Sequence, residues 1–212
     1  MDGGHGMNAG RANPFPALLL AWACLAASYS GAAREPIATS SVVRFNTLCA
    51  TCHEGECSTR LSFKLDASAT DSHIRRYTGD IAPDTARELK VLLEHMKLHC
   101  GYYDIRIPSP QDGRWRAELL QQLHAAQEKA YFVPLGRLMA GRHRFTLTFE
   151  HEVSVSIQLI SASFEISEQP ALRTQDNRAV AELEAERPGE YYLRLQTERP
   201  ARLLTLDTES LP

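Results

Sequence analysis

The sequence has no excess of basic residues. Its 212 residues include 23 Lys and Arg against 26 Asp and Glu, which gives a formal net charge of −3. A protein that binds nucleic acid needs a basic patch to neutralise phosphates, and the chain shows no basic stripe. Nucleic acid is therefore not an expected partner. Repeats and low-complexity segments are also lacking, and a hydrophobic fraction of 43% is ordinary for a globular protein.

The sequence also lacks an apolar run long enough to cross a membrane as a helix. The apolar run over residues 16–27 is shorter than the roughly twenty residues that a span needs, and small residues follow it. This pattern is typical of a secretory signal. We predict that residues 1–33 are a signal peptide cleaved near Ala32 or Ala33, and that the mature protein is periplasmic or otherwise exported. It would be bound to a membrane only if this segment is retained, or lipidated at Cys24.

Cysteine is scarce, yet three of the five cysteines fall within "LCATCHEGEC", residues 48–57. Cys49, Cys52 and His53 form Cys-x-x-Cys-His, a haem attachment signature. Two thiols three positions apart on a helical turn can each add to one vinyl group of a haem, and the adjacent imidazole can bind the iron. The motif predicts one covalent haem c, with thioether bonds to Cys49 and Cys52 and with His53 as the proximal iron ligand.

The residues around this motif resemble the class I cytochrome c family. Phe45 lies four residues before the first cysteine, where that family has an aromatic residue packed against haem. "RYTGDIAPDTARELKVLLEHM" resembles the family's closing stretch, a glycine and a proline turn followed by an amphipathic helix. The resemblance covers about residues 38–104. It implies a small all-α haem domain with Phe45 packed against the haem, and one-electron exchange with redox partner proteins.

The distal side of the expected haem departs from the family pattern. The family usually carries its distal methionine just before the proline of the turn, where this chain has Ile81, Ala82 and Pro83. His73, on the predicted short helix before the turn, is the first candidate for the distal iron ligand. Met96 is the alternative candidate, although its place on the apolar face of the following helix is also explained by core packing. An open sixth position is the third possibility.

Two further cysteines remain once haem occupies the motif. In an oxidising compartment the simplest prediction pairs Cys57 with Cys100. The loop that this disulfide closes is long, so the crosslink would stabilise the fold by about 2–4 kcal/mol.

Two other classes of function compete with the electron carrier. A haem with an open distal site would suit a gas sensor or a small oxidase. A zinc-stapled binding protein would use Cys49, Cys52, His53 and Cys57, although four ligands so close in sequence leave little chain for a tetrahedral site. A thioredoxin-like dithiol would need a βαβ pattern, which the sequence does not show.

In the second half of the chain, apolar residues recur at every second position instead of at helical spacing. Residues 105–132 read as a proline-rich linker and an amphipathic helix. From Val133 onward, short segments such as "RFTLTFE" and "VSVSIQLI" alternate apolar and polar residues, which predicts antiparallel strands. "RPGEYYLRLQT" and the strands before it are similar to the β-sandwich module appended to secreted bacterial peptidases. This part shows no Ser/His/Asp set, carboxylate pair or phosphate-binding glycine loop, so we expect a docking or stabilising module.

The sequence thus predicts an α+β protein in four parts. These are a signal peptide (1–33), a small all-α cytochrome c-like haem domain (38–104), a linker with a helix (105–132) and an antiparallel β-sandwich (133–212). The expected function is that of an exported monohaem c-type cytochrome, an electron carrier more than an enzyme.

Overall fold

The structure, a computed structural model, describes residues 37–55 and 67–212. The predicted signal peptide and Cys57 lie outside these residues. The described residues form one compact unit. No helix in the described ranges combines the length and the apolar character needed to span a membrane.

Helices occupy the first part of the described chain. The motif helix, residues 39–53, runs without a break through α1 (Thr39–Arg44), a π-helical turn (Phe45–Cys49) and α2 (Ala50–His53). It is followed by α3 (Ala67–Thr78), α4 (Pro83–His99) and the short α5 (Ala117–Gln122). Proline at the first position of α4 suits the start of a helix, and Cys100 ends it in the left-handed conformation with φ of 49°.

The remaining elements are strands in two antiparallel sheets. They are β1 (Arg114–Arg116), β2 (His124–Ala125), β3 (Ala130–Leu138), β4 (Gly141–Phe149), β5 (Ser154–Ser161), β6 (Ile166–Arg173), β7 (Arg178–Ala185), β8 (Gly189–Thr197) and β9 (Leu203–Ser210). One sheet has the order β1-β9-β4-β7 and the other β2-β3-β8-β5-β6. The amphipathic helix expected within residues 105–132 is confined to α5, because β1 pairs with β9 and β2 pairs with β3 on either side of it.

Alternation along the strands separates the core from the surface. In β4 the side chains of Phe145, Leu147 and Phe149 are buried, and the threonines between them are partly exposed. Strand β7 alternates in the same way over its whole length. Successive side chains of a strand point to opposite faces, so this pattern puts one apolar face of each strand into a shared interior.

The predicted fold class is wrong, because the helices do not form a small all-α domain of their own. Val42 and Phe45 of the motif helix belong to the same buried cluster as Phe132 of β3 and Leu193 of β8. A helix buries its apolar stripe against whichever element covers it, and here the β-sheets provide much of that cover. The described chain is a predominantly β protein whose motif helix packs on the five-stranded sheet, with α4 against the motif helix and α3 against α4.

Candidate functional site

The Cys-x-x-Cys-His residues line a cavity of about 260 Å³. The motif helix contributes one wall, and α3 and α4 contribute the opposite walls. The described lining consists of Phe45, Leu48, Cys49, Cys52, His53, His73, Ile74, Tyr77, Leu89 and Leu93. The cavity is therefore largely apolar, with two thiols and two imidazoles as its chemically distinctive groups.

The sequence spacing of the motif residues brings their side chains to the same side of the motif helix, where they line the cavity. Cys49 ends the π-helical turn, while Cys52 and His53 lie on the next turn, in α2. Phe45, one turn earlier, is 2% exposed and packs into the core beside the cavity. Single π-helical turns within α-helices occur frequently at functional sites.

His53 and His73 lie close together within this cavity. Their ring centres are 6.2 Å apart. The two ring planes are inclined at 61°, in an edge-on arrangement. Both imidazoles would therefore be candidates to bind one iron held in the cavity. Tyr77, one turn after His73, has its ring centre 5.0 Å from that of His73.

Met96 lies elsewhere in the structure. It is 2% exposed, belongs to the hydrophobic core and is not among the described lining residues. Ile81, which occupies the position of the family's methionine, is buried in the same core. The rings of His95 and His99 contact each other along α4 at a tilt of 39°, with ring centres 4.6 Å apart, and they too are outside the described lining.

The thiol of Cys49 is not an activated nucleophile. Burial raises its pKa to about 11, although Arg44 opposes part of the shift. Such a thiol is mostly protonated at neutral pH, and zinc would have to displace that proton in order to bind. Among residues 37–55 and 67–212, no group of three or more His, Cys, Asp and Glu side chains is arranged to hold a metal ion. Cys57, the fourth ligand of the zinc alternative, lies outside these ranges.

The predicted disulfide stays a prediction because only one partner is described. Cys100 is exposed at the end of α4, and it forms no disulfide with Cys49 or Cys52.

Polar side-chain contacts connect the start of the motif helix to α4 and its middle to the turn before β3. Glu88 of α4 accepts hydrogen bonds from the Ala38 backbone N–H at 3.1 Å and from the Ser41 hydroxyl at 2.5 Å. A carboxylate is favourable at a helix N-terminus, where backbone N–H groups lack partners within the helix. Arg44 forms an ion pair with Glu128, in the turn before β3, with 2.7 Å between Nε and Oε1.

A third polar contact connects the end of the motif helix to β8, through residues that the sequence did not identify. Glu54, immediately after the motif, forms an ion pair with Arg194 of β8, and their side chains are 7% and 6% exposed. The Tyr102 hydroxyl also donates a hydrogen bond to Glu54. Burial, together with the nearby Glu54 carboxylate, raises the pKa of Tyr102 well above its ordinary value. Nothing in the local pattern around Arg194 distinguishes it from the other arginines of the strands.

Comparison with known proteins identifies no family for the chain. No family model matches it, and no curated protein matches it. Among solved structures, a putative alpha-L-fucosidase from Bacteroides thetaiotaomicron VPI-5482 is similar, with a TM-score of 0.30 and 15% identity. The match covers 64% of this chain and 28% of that chain, so the present chain spans only a small part of its length. A likeness of this strength carries no information about function.

Both family resemblances inferred from the sequence are therefore wrong. A class I cytochrome c would form a small all-α domain, whereas the motif helix here is part of a predominantly β unit with a shared core. No family model matches the chain, so neither the class I cytochrome c family nor the module of secreted peptidases is supported. A five-residue motif specifies only a local turn and its chemistry, so it does not identify a fold. An alternating pattern is common to most half-buried antiparallel strands, so it does not identify a family either.

Proposed function

We propose that the protein is an exported electron carrier that holds one covalent haem at Cys49 and Cys52. The observation that carries the proposal is the cavity in which both motif cysteines and two imidazoles meet, with the centres of His53 and His73 6.2 Å apart. The proposal rests on the motif and the cavity and needs no membership of the class I family.

The side chains present suit a haem. Cys49 and Cys52 would hold it through thioether bonds, and His53 and His73 would bind its iron. Leu48, Ile74, Leu89 and Leu93 provide an apolar lining that excludes water from the ring faces. A bound haem would supply one-electron redox chemistry at a potential set by its axial ligands and its burial.

The exposed side of the cavity indicates where electrons would be exchanged. Cys52, His73 and Tyr77 are exposed, while Phe45 and Leu89 at the other side are buried. A redox partner protein could therefore approach the edge beside Cys52 without any rearrangement of the core. Export to the periplasm fits this proposal, because haem attachment to such a motif occurs outside the cytoplasm.

The test is to produce the protein with its signal segment in a host that has haem attachment machinery. We expect the mass to exceed that of the mature polypeptide by one haem, the colour to survive denaturation, and a potentiometric titration to fit a one-electron transition. The double variant Cys49→Ser, Cys52→Ser should lose covalent haem, while Cys100→Ser should retain it. A colourless protein that carries zinc would contradict the proposal.

A further inference from the structure

The guanidinium of Arg194 bonds to the chain on both sides of the Cys-x-x-Cys-His motif. Its Nε donates a hydrogen bond to the backbone carbonyl of Asn46 at 2.8 Å. Its terminal nitrogens donate to the carboxylate of Glu54, one of them at 3.3 Å to Oε2. The segment between these two anchors contains both cysteines and His53. One side chain from a sheet thus spans the turn that carries the motif.

The position of Arg194 is itself well determined. It lies on β8, which pairs with β3 on one side and with β5 on the other. Its NH1 also donates to Gln158 of β5 at 3.1 Å, and its guanidinium lies 5.8 Å from the ring centre of Phe132 on β3. A planar, five-donor group can make all these contacts together, which the point charge of a lysine cannot do.

Stability alone does not account for such a pair. Replacing a buried ion pair by apolar residues of similar volume is often neutral or stabilising, because removing two charges from water is costly. The Glu54–Arg194 pair instead restrains the position and direction of the end of the motif helix, where His53 lies. The Tyr102 hydroxyl strengthens it by bonding to the same Glu54 oxygen as Arg194.

We propose that Arg194 is a positioning residue for the haem site. It holds residues 46–54 so that the imidazole of His53 faces that of His73 across the cavity. This inference rests on the proposed function. It gives the β-sheet a defined part in the site, because Arg194 of β8 would set the orientation of His53. Arg194 lies 140 residues from its partner Glu54 in the chain.

The experiment compares Arg194→Gln and Arg194→Lys with the control Arg144→Gln, whose parent residue forms an exposed pair with Glu182 on β7. In haem-free protein, we expect amide hydrogen exchange across residues 47–54 to accelerate about tenfold or more in Arg194→Gln. In haem-loaded protein, the fraction of high-spin ferric haem should rise and the midpoint potential should shift. Arg194→Lys should show smaller changes, and Arg144→Gln none.

A second variant separates positioning from stability. Glu54→Leu combined with Arg194→Met removes the unpaired buried charge, so it should fold even if Arg194→Gln does not. We expect it to keep the elevated high-spin fraction and the fast exchange at residues 47–54. Exchange and spin state equal to the wild type in this double variant would overturn the inference, as would faster exchange spread evenly over all the sheets. A wild-type protein that attaches no haem would defeat the proposed function, whereas the exchange comparison would still decide whether Arg194 orders the motif.

Discussion

Arg44 on the motif helix and Glu128 in the turn before β3 form a largely buried ion pair, with side chains 16% and 11% exposed. The two residues are 84 positions apart in sequence. Because Glu128 lies two residues before the start of β3, the pair links the middle of the motif helix to the five-stranded sheet. Together with the contacts of Glu54 and Arg194, it makes the helix that carries the Cys-x-x-Cys-His motif a part of the β unit.

Breaking this pair on one side should destabilise the whole unit. We expect Glu128→Gln to lower the free energy of unfolding by about 1–3 kcal/mol, because Arg44 would stay largely buried without a charged partner. Urea denaturation followed by circular dichroism measures the change. The matched control is Glu182→Gln, which removes the partner of Arg144 on an exposed sheet face and should change stability by less than about 0.5 kcal/mol. Equal effects of the two variants would contradict the role of the Arg44 pair.

If the protein binds haem through His53 as proposed, the spectrum of haem-loaded protein would identify the second iron ligand. If His73 binds the iron, the wild type should be six-coordinate and low-spin, and carbon monoxide should bind slowly, because a ligand held by the fold must first dissociate. His73→Ala should give a high-spin spectrum and fast carbon monoxide binding. His99→Ala, which changes an imidazole outside the described cavity lining, is the control.

The same measurements test the alternatives to His73. A weak near-infrared sulfur-to-iron band that Met96→Leu abolishes would assign the ligand to Met96, against its buried position in the core. A wild-type protein that is already high-spin would leave the distal site open and favour a gas sensor or a small oxidase.

The disulfide between Cys57 and Cys100 is tested by peptide mapping of the exported protein without reduction. We expect the two residues in one crosslinked peptide, because haem attachment would use the other two cysteines of the mature chain. Reduction should then lower the free energy of unfolding by about 2–4 kcal/mol. Recovery of both residues as separately alkylated thiols from native protein would refute the pairing.

Acidification should weaken the fold through His124. Burial lowers the pKa of His124 below its ordinary value, with Glu128 opposing part of the shift. Below about pH 6.5 the unfolded chain takes up this proton more readily than the folded protein, so the free energy of unfolding falls as the pH drops through that window. His124→Gln cannot take up the proton and should show a shallower fall between pH 7 and pH 5. The readout is the slope of stability against pH, since loss of the stacking on Tyr131 changes stability at every pH.

The control for this measurement is His151→Gln, because His151 lies in a partly exposed turn. It shows what the loss of an imidazole outside the core does to the same curve. A wild-type slope in His124→Gln would show that other groups carry the pH dependence.

The sequence by itself determined the local features of the protein. The spacing of Cys49, Cys52 and His53 puts the three side chains on neighbouring turns of one helix, and the glycine and proline turn before α4 indicates that a long helix follows. Alternation in β4 and β5 identified the residues that are buried there, such as Phe145 and Ile157. These features follow from the 3.6-residue and two-residue periods of the backbone, which neighbouring residues reveal without reference to the rest of the chain.

Only the tertiary structure decided which elements cover one another. The apolar face of the motif helix is evident in Val42 and Phe45, but the pattern does not say that sheet residues such as Phe132 share their core. The separation of His53 from His73 depends on how α3 packs, and the bonds of Arg194 depend on the placement of β8. Such contacts between distant residues are selected by the packing and polar pairing of the whole chain, so no local period encodes them.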